Sequence, residues 1–152
     1  MSEPPFDLAK AHRWFAVECN NAAWELYELP ARTAEETERM IDLAHASLHH
    51  WRHAATPLNI LRGQVLLATV YTAAGYGESA ARHAYQSLEL LAGAADPTPF
   101  DRVSTLGSAA GALALAGEAA EADRLRGDAR SALSQLTDED DRRVATQLWK
   151  IE

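Results

Sequence analysis

Apolar residues recur along the whole chain at spacings of three and four, which is the period of one face of an α-helix. Short alternating runs of β-branched and aromatic residues, the pattern typical of strands, are absent. Capping residues, glycines and prolines divide the helical pattern into seven segments. The predicted helices cover residues 8–28, 33–55, 57–74, 78–92, 98–117, 118–136 and 137–151. The sequence therefore predicts an all-α protein with about seven helices.

Three of the predicted helix starts carry clear capping signals. Thr33 with Glu36 three residues later is a capping box. Thr56 and Thr98 each precede a proline, so they are predicted N-caps with proline at the first helical position. Pro30 ends the first helix, because proline cannot continue it.

Several of the predicted helices carry apolar stripes that we expect to face the core. The stripes are Phe15, Cys19, Ala22 and Leu26 in the first helix, Ile41, Ala44, Leu48 and Trp51 in the second, and Val144, Leu148 and Ile151 in the last. Residues 57–74 are apolar over most of the helix circumference, which predicts that the third helix is the most buried. The four tryptophans lie near apolar stripes, which favours core packing over a stacking platform for a ligand.

Short connections between consecutive helices favour antiparallel packing of neighbours, so the seven helices should form a stack of hairpins. The predicted hairpins span approximately residues 8–55, 57–92 and 98–136, and a C-terminal capping helix over 137–151 covers the end of the stack. At 152 residues the chain should form one domain, residues 1–152, that buries roughly two-thirds of its unfolded surface.

Two of the predicted turns repeat the same signal. Gly75 is followed five residues later by Ala80, Gly117 is followed five residues later by Ala122, and the two glycines are 42 residues apart. Glycine permits a sharp turn and alanine lets the next helix pack closely on the previous one. We predict that Gly75 adopts a positive φ angle.

The residues before the first of these turns resemble a tetratricopeptide repeat. Leu67, Ala68 and Tyr71 stand where that family places large, small and aromatic residues. The resemblance covers residues 64–91 and, more loosely, 106–133, and it implies a right-handed superhelix of stacked hairpins.

The chain also departs from the tetratricopeptide pattern. Gln64 replaces the early tryptophan, Ala92 replaces the late proline, and the spacing of 42 exceeds the usual period of about 34 residues. A second set of segments looks like a group of small bacterial helical-repeat proteins without an assigned activity: His45-Ala46-Ser47, His50-Trp51, Arg62-Gly63, Leu66-Leu67-Ala68 and Val70-Tyr71. Both resemblances concern the fold and leave the function open.

The charge and the cysteine content exclude several classes of function. The net charge of −8, from 22 acidic and 14 basic residues, argues against a nucleic-acid partner, which would require a basic surface. Cys19 is the only cysteine, so the chain can form no internal disulfide, and a reducing compartment fits. The stretch 103–117 is uncharged but too short to span a bilayer, and residues 1–7 do not resemble a signal peptide. We therefore expect a cytoplasmic protein without a membrane partner.

The most specific polar pattern is a stripe of histidines on the second helix. His45, His49 and His53 recur every four residues, and Glu38 and Asp42 extend the same stripe. Imidazoles four residues apart on a helix can share a zinc, nickel or cobalt ion. The alternative interpretation is a solvated face whose acidic start and basic end suit the helix dipole.

A second candidate site combines polar residues of the first and third helices. Arg62 lies near the start of an otherwise apolar helix, and Asn59 lies about one turn before it. Together with Asn21 and Trp24, and with the adjacent Asn20, they are candidates for a groove that binds a peptide carboxylate or a small anion. The alternative is that Arg62 forms an internal ion pair with Glu18 or Glu25.

Three classes of function remain in competition. The leading hypothesis is a non-catalytic binding module for a protein or peptide, because stacked hairpins offer an extended surface and no compact catalytic motif is present. No cofactor is expected on this hypothesis. The first alternative is a metal-binding protein or metal-dependent enzyme that uses the histidine stripe, with a divalent metal as cofactor. The second is a structural subunit that forms a homodimer through its end helices.

Overall fold

The computed structural model describes residues 3–54 and 56–151, and this part of the chain contains seven α-helices and no strand. They are α1 (Leu8–Tyr27), α2 (Ala34–Ala54), α3 (Pro57–Ala74), α4 (Gly77–Gly93), α5 (Pro99–Leu115), α6 (Ala119–Ser134) and α7 (Glu139–Trp149). The all-α prediction is confirmed, and the helix bounds lie close to the predicted ones. Ala55, where α2 was predicted to end, lies outside the described residues, as do the first two residues and Glu152.

The local signals at two helix starts act as the sequence predicts. In the capping box before α2, the Glu36 N–H donates to Thr33 Oγ1 at 3.1 Å and the Thr33 N–H donates to Glu36 Oε2 at 2.8 Å. Thr98 forms a second capping box with Asp101 at the start of α5. Thr56 is the N-cap of α3 with Pro57 at the first helical position, as predicted, although its side chain makes no capping hydrogen bond.

The repeated glycines have the same conformation. Gly75 has a φ of 82° and Gly117 a φ of 86°, so the predicted positive φ of Gly75 is confirmed. In each turn the glycine N–H donates to the carbonyl three residues before it, at 3.1 Å for Gly75 and 3.2 Å for Gly117. The N–H of the following residue donates to the carbonyl five residues before it, at 3.0 Å in the first turn and 2.9 Å in the second. This pair of bonds is a Schellman motif. Ala80 and Ala122, which follow the turns, are both buried.

The helices stack as hairpins, with α1 against α2, α3 against α4, and α5 against α6. Consecutive odd-numbered helices also contact one another, from α1 through α3 and α5 to α7. In the described part of the chain, the backbones of α2 and α4, and those of α4 and α6, do not pack closely on each other. The odd-numbered helices therefore form one continuous row, called the inner row below. The last helix packs on α5, with Ala145 buried beside Leu133 and Leu136 at the end of the third hairpin.

The core consists of three clusters that follow one another through the stack. One joins the first hairpin to α3, the next lies between α3, α4, α5 and α6, and the last joins the third hairpin to α7. α5 is buried along at least as much of its length as α3, so the prediction that α3 is the most buried helix was wrong. The small residues of α5 cause this, because neighbouring helices can approach them from several sides.

The predicted core face of α1 was only partly right, because Leu26 packs against the first core cluster but the fully buried positions are others. Ala16 and Ala23 are the buried residues of this helix, whereas Phe15 is 44% exposed and Trp14 is 58% exposed. The small side chain of Ala16 allows a close approach to α2, where the Ser47 hydroxyl donates to the Ala16 carbonyl at 2.8 Å. The prediction of core packing was therefore wrong for Trp14, while the other three tryptophans are partly buried. Cys19 is also only partly buried.

Among the described residues, no helix is both long enough and apolar enough to cross a membrane.

Candidate binding groove

The inner row of helices carries a groove with two cavities. The groove is lined by α1 between Asn20 and Tyr27, by α3 between Arg62 and Ala73, and by α5 between Phe100 and Gly111. One cavity has a volume of about 380 Å³ and extends to α6, and the other has a volume of about 210 Å³. Trp149 lines both cavities and therefore lies between them.

Residues 148–151 lie in this groove and are called the docked segment below. The Tyr27 hydroxyl donates a hydrogen bond to the Leu148 carbonyl at 3.4 Å. The indole Nε1–H of Trp149 donates to Thr69 Oγ1 at 3.3 Å. Ile151 follows the end of α7 and is only 1% exposed. The docked segment is thus held by a backbone contact, a side-chain hydrogen bond and a buried aliphatic residue.

Gly107 on α5 provides the space for the docked segment. A Cβ atom at this position would lie 2.7 Å from Cδ1 of Ile151 and 2.8 Å from Cβ of Trp149. Real side chains do not approach that closely, so any residue larger than glycine would force the docked segment to move. Gly111, one turn further along α5, has only a Thr72 methyl carbon at 3.9 Å from the corresponding position.

At the smaller cavity, Arg62 forms an ion pair across the groove with Asp101. The Arg62 Nε donates to Asp101 Oδ1 at 2.8 Å, and NH2 donates to Oδ2 at 3.0 Å. Burial alone would raise the pKa of the Asp101 carboxyl, but the hydrogen bonds from Arg62 and Thr98 outweigh burial and lower that pKa. Arg62 remains half exposed, while Asp101 is 2% exposed. Arg62 does form an internal pair, but the predicted partners Glu18 and Glu25 were wrong.

The structure brings together part of the polar groove suggested by the sequence. Trp24 and Arg62 both line the smaller cavity, and Asn20 lines it with them. Asn21 is exposed and accepts a hydrogen bond from the Asn20 side chain at 3.3 Å. Asn59 is partly buried and lines neither cavity. Asp101 and Trp149 were missed because their place in the groove depends on how α5 and α7 pack against α3.

The histidine stripe of α2 is divided between two clusters. Nε2 of His45 is 2.8 Å from the Tyr71 hydroxyl, and its ring is 5.6 Å from that of His83. His49 and His53 instead lie beside His12 of α1, with ring centroids at 6.3 and 4.6 Å from it. Helical spacing places the three histidines on one face of α2, but His45 contacts α3 and α4, whereas His49 and His53 contact α1.

His50 completes the cluster around His12. The Nδ1 atoms of these two rings are 2.8 Å apart, so one ring must donate a proton and the other accept it. Burial, followed by the nearby rings of His12, His49 and His53, lowers the pKa of His50. In residues 3–54 and 56–151, no three histidine, cysteine, aspartate or glutamate side chains are arranged to hold a metal ion.

His83 on α4 is a buried histidine that the sequence did not single out. Its Nδ1 is 2.7 Å from Gln64 Oε1, and its ring stacks on Tyr71 with centroids 5.5 Å apart. Because the amide oxygen of Gln64 only accepts, Nδ1 of His83 carries the proton. Burial, assisted by the charge of Arg82, lowers the pKa of His83 to about 4. This residue is therefore neutral at pH 7, and Gln64 serves as its hydrogen-bond partner.

No protein-family model, curated protein or solved structure matches the chain. A role for the groove therefore has to be argued from its own contacts.

Proposed function

We propose that the chain is a non-catalytic binding module that takes a short segment of a protein or peptide in the groove between α1, α3 and α5. The observation that supports this most directly is that the groove already holds a stretch of polypeptide, the docked segment. The inner row of helices supplies a hydroxyl for a backbone carbonyl, another for an indole N–H, and space for an aliphatic side chain. Hydrogen bonds to a peptide carbonyl and to a polar side chain, together with space for an apolar side chain, are the kinds of contact that hold a peptide in a groove.

The two cavities support the same proposal. Their volumes of about 380 and 210 Å³ leave space beside Trp149 for further side chains of a ligand. Arg62, half exposed at the smaller cavity, offers the remaining donors of its guanidinium to a ligand carboxylate or carbonyl while its Asp101 pair holds it in place. The net charge of −8 favours a peptide partner over a nucleic acid.

The proposal is tested by selecting peptides from a random display library on the full chain and measuring the affinity of each selected peptide for two variants. In Gly111→Leu, the new side chain should extend into the larger cavity that Gly111 lines. Gly127→Leu is the matched control, because Gly127 lies on the exposed side of α6 and a Cβ atom added there would meet no atom of another helix within 4 Å. We expect Gly111→Leu to weaken binding at least tenfold and Gly127→Leu to leave it unchanged. Failure to select any peptide, or equal binding to both variants, would contradict the proposal.

A further inference from the structure

The docked segment consists of the last two residues of α7 and the two residues that follow the helix. Within α7 only Ala145 is buried, although the helix runs for 11 residues. Beyond the helix, Lys150 has a positive φ of 51° and Ile151 is almost completely buried. After Ala145, the buried residue in this part of the structure is therefore Ile151, while Leu148 and Trp149 are partly buried. Elements with so few buried contacts are those that open at low cost in free energy.

The groove is shaped for the docked segment at three places. Gly107 leaves the space in which Trp149 and Ile151 meet α5. Thr69 on α3 accepts the indole hydrogen bond, and Tyr27 on α1 binds the Leu148 carbonyl. Thus α1, α3 and α5 each supply one specific contact. Those from α3 and α5 engage an aromatic residue and a branched aliphatic residue two positions later, and the one from α1 holds the backbone just before them.

Building on the proposed function, we propose that the groove recognises a partner segment in which a large aromatic residue, such as tryptophan, is followed two positions later by isoleucine or valine. Trp149 and Ile151 are an internal copy of that segment, and they block the groove until a partner segment displaces them. A tethered segment competes at an effective concentration in the millimolar range. If it fills the groove 90 to 99% of the time, it weakens the apparent affinity of a partner roughly 10- to 100-fold.

The first test uses a fluorescent synthetic peptide of residues 139–151 as the probe, with binding measured by fluorescence anisotropy. The released variant carries Trp149→Ala and Ile151→Ala in the full chain, and its helix content is checked by circular dichroism. We expect the probe to bind the released variant at least tenfold more tightly than wild type. Adding Gly107→Ala to the released variant should abolish this gain, whereas adding Gly111→Ala should leave it within about twofold. Equal binding to wild type and to a folded released variant would overturn the proposal.

The second test leaves the sequence of the protein unchanged. Excess unlabelled probe peptide is added to wild type, and hydrogen exchange is followed in the amides of α7. Displacement of the docked segment should speed exchange in α7, while α3 and α5 stay protected. A bound peptide that leaves exchange in α7 unchanged would overturn the proposal. So would a wild-type dimer whose subunits exchange this segment, because a second copy would then be the occupant.

The failure of this inference can be distinguished from the failure of the proposed function. Display selection on the released variant, repeated with Gly111→Leu, reports the pattern of residues that the groove prefers. Enrichment of an aromatic residue followed two positions later by isoleucine or valine supports the inference. Groove-binding peptides without that pattern would overturn the inference and leave the proposed function standing. No groove-binding peptide at all would contradict both.

Discussion

Replacement of Gly107 by alanine tests whether the groove is built around the docked segment. The added methyl group would lie 2.7 Å from Ile151 and 2.8 Å from Trp149, so the docked segment has to shift or leave. Adding a methyl group to a well-packed site typically costs about 1–3 kcal/mol of stability. Complete loss of Ile151 burial would cost a similar amount, about 1.5–3 kcal/mol.

The matched control is Gly127→Ala in α6. Alanine in a helix interior is more stable than glycine by about 0.5–1 kcal/mol, and this gain applies to both variants. Gly127 is exposed and a methyl group added there would meet no atom of another helix within 4 Å, so the control should show the gain alone. The difference in unfolding free energy between the two variants then isolates the effect of the clash, which we expect to be about 1–3 kcal/mol.

Urea denaturation monitored by circular dichroism measures this difference, and hydrogen exchange locates it. We expect Gly107→Ala to have a lower denaturation midpoint than Gly127→Ala, and to exchange amide hydrogens faster than the control only within α7. If Gly107→Ala is as stable as Gly127→Ala, the docked segment does not occupy the position described, and the groove does not depend on it.

Three further predictions concern other parts of the molecule. Gly75→Val should lower the unfolding free energy by about 1–3 kcal/mol, because a β-branched residue is strained at a φ of 82°, and an unchanged denaturation midpoint would exclude this. The stability that comes from keeping His83 neutral should be fully present above pH 6.5, and the unfolding free energy should fall by up to about 3 kcal/mol towards pH 4. The reason is that, as the pH falls, the unfolded chain binds a proton at His83 before the folded protein does. A His83→Gln variant whose stability depends as steeply on pH would show that another group is responsible. Calorimetric titration with zinc should give the same result for wild type and for His45→Ala/His49→Ala, since His45 contacts Tyr71 and His49 lies in the other cluster; weaker binding by the double variant would indicate a shared metal site.

The helix bounds could be predicted because their signals are local. Thr33 and Glu36 form their capping box within a few residues of sequence, and Gly75 and Gly117 close the preceding helix with bonds to its own last turn. Such signals do not depend on where the other helices lie. The all-α hairpin stack follows from these boundaries and from the short connections between helices.

The orientation of α1 could not be predicted, because large apolar residues do not always mark the buried face. This helix approaches α2 through Ala16 and Ala23, and close packing of small residues leaves Phe15 on the outside. The periodic pattern gives the apolar stripe of a helix, but the partner helix determines which part of that stripe it covers.

The groove depends on contacts between residues distant in sequence. Arg62 pairs with Asp101 of α5, although acidic residues of α1 were equally available by charge. Trp149 reaches Thr69 across 80 positions of sequence, and no local pattern indicates this contact. The sequence did suggest Trp24 and Arg62 as neighbours, because both lie on inner helices of the predicted stack.

The proposed binding in the groove is tested most directly by finding where a selected peptide touches the protein. A display-selected peptide carrying a photo-reactive group is cross-linked to the full wild-type chain, and the cross-linked residues are identified by mass spectrometry. The account predicts cross-links on α1, α3 and α5 within the groove, and their loss in Gly111→Leu. Cross-links concentrated on α2, α4 or α6, and unaffected by Gly111→Leu, would contradict it.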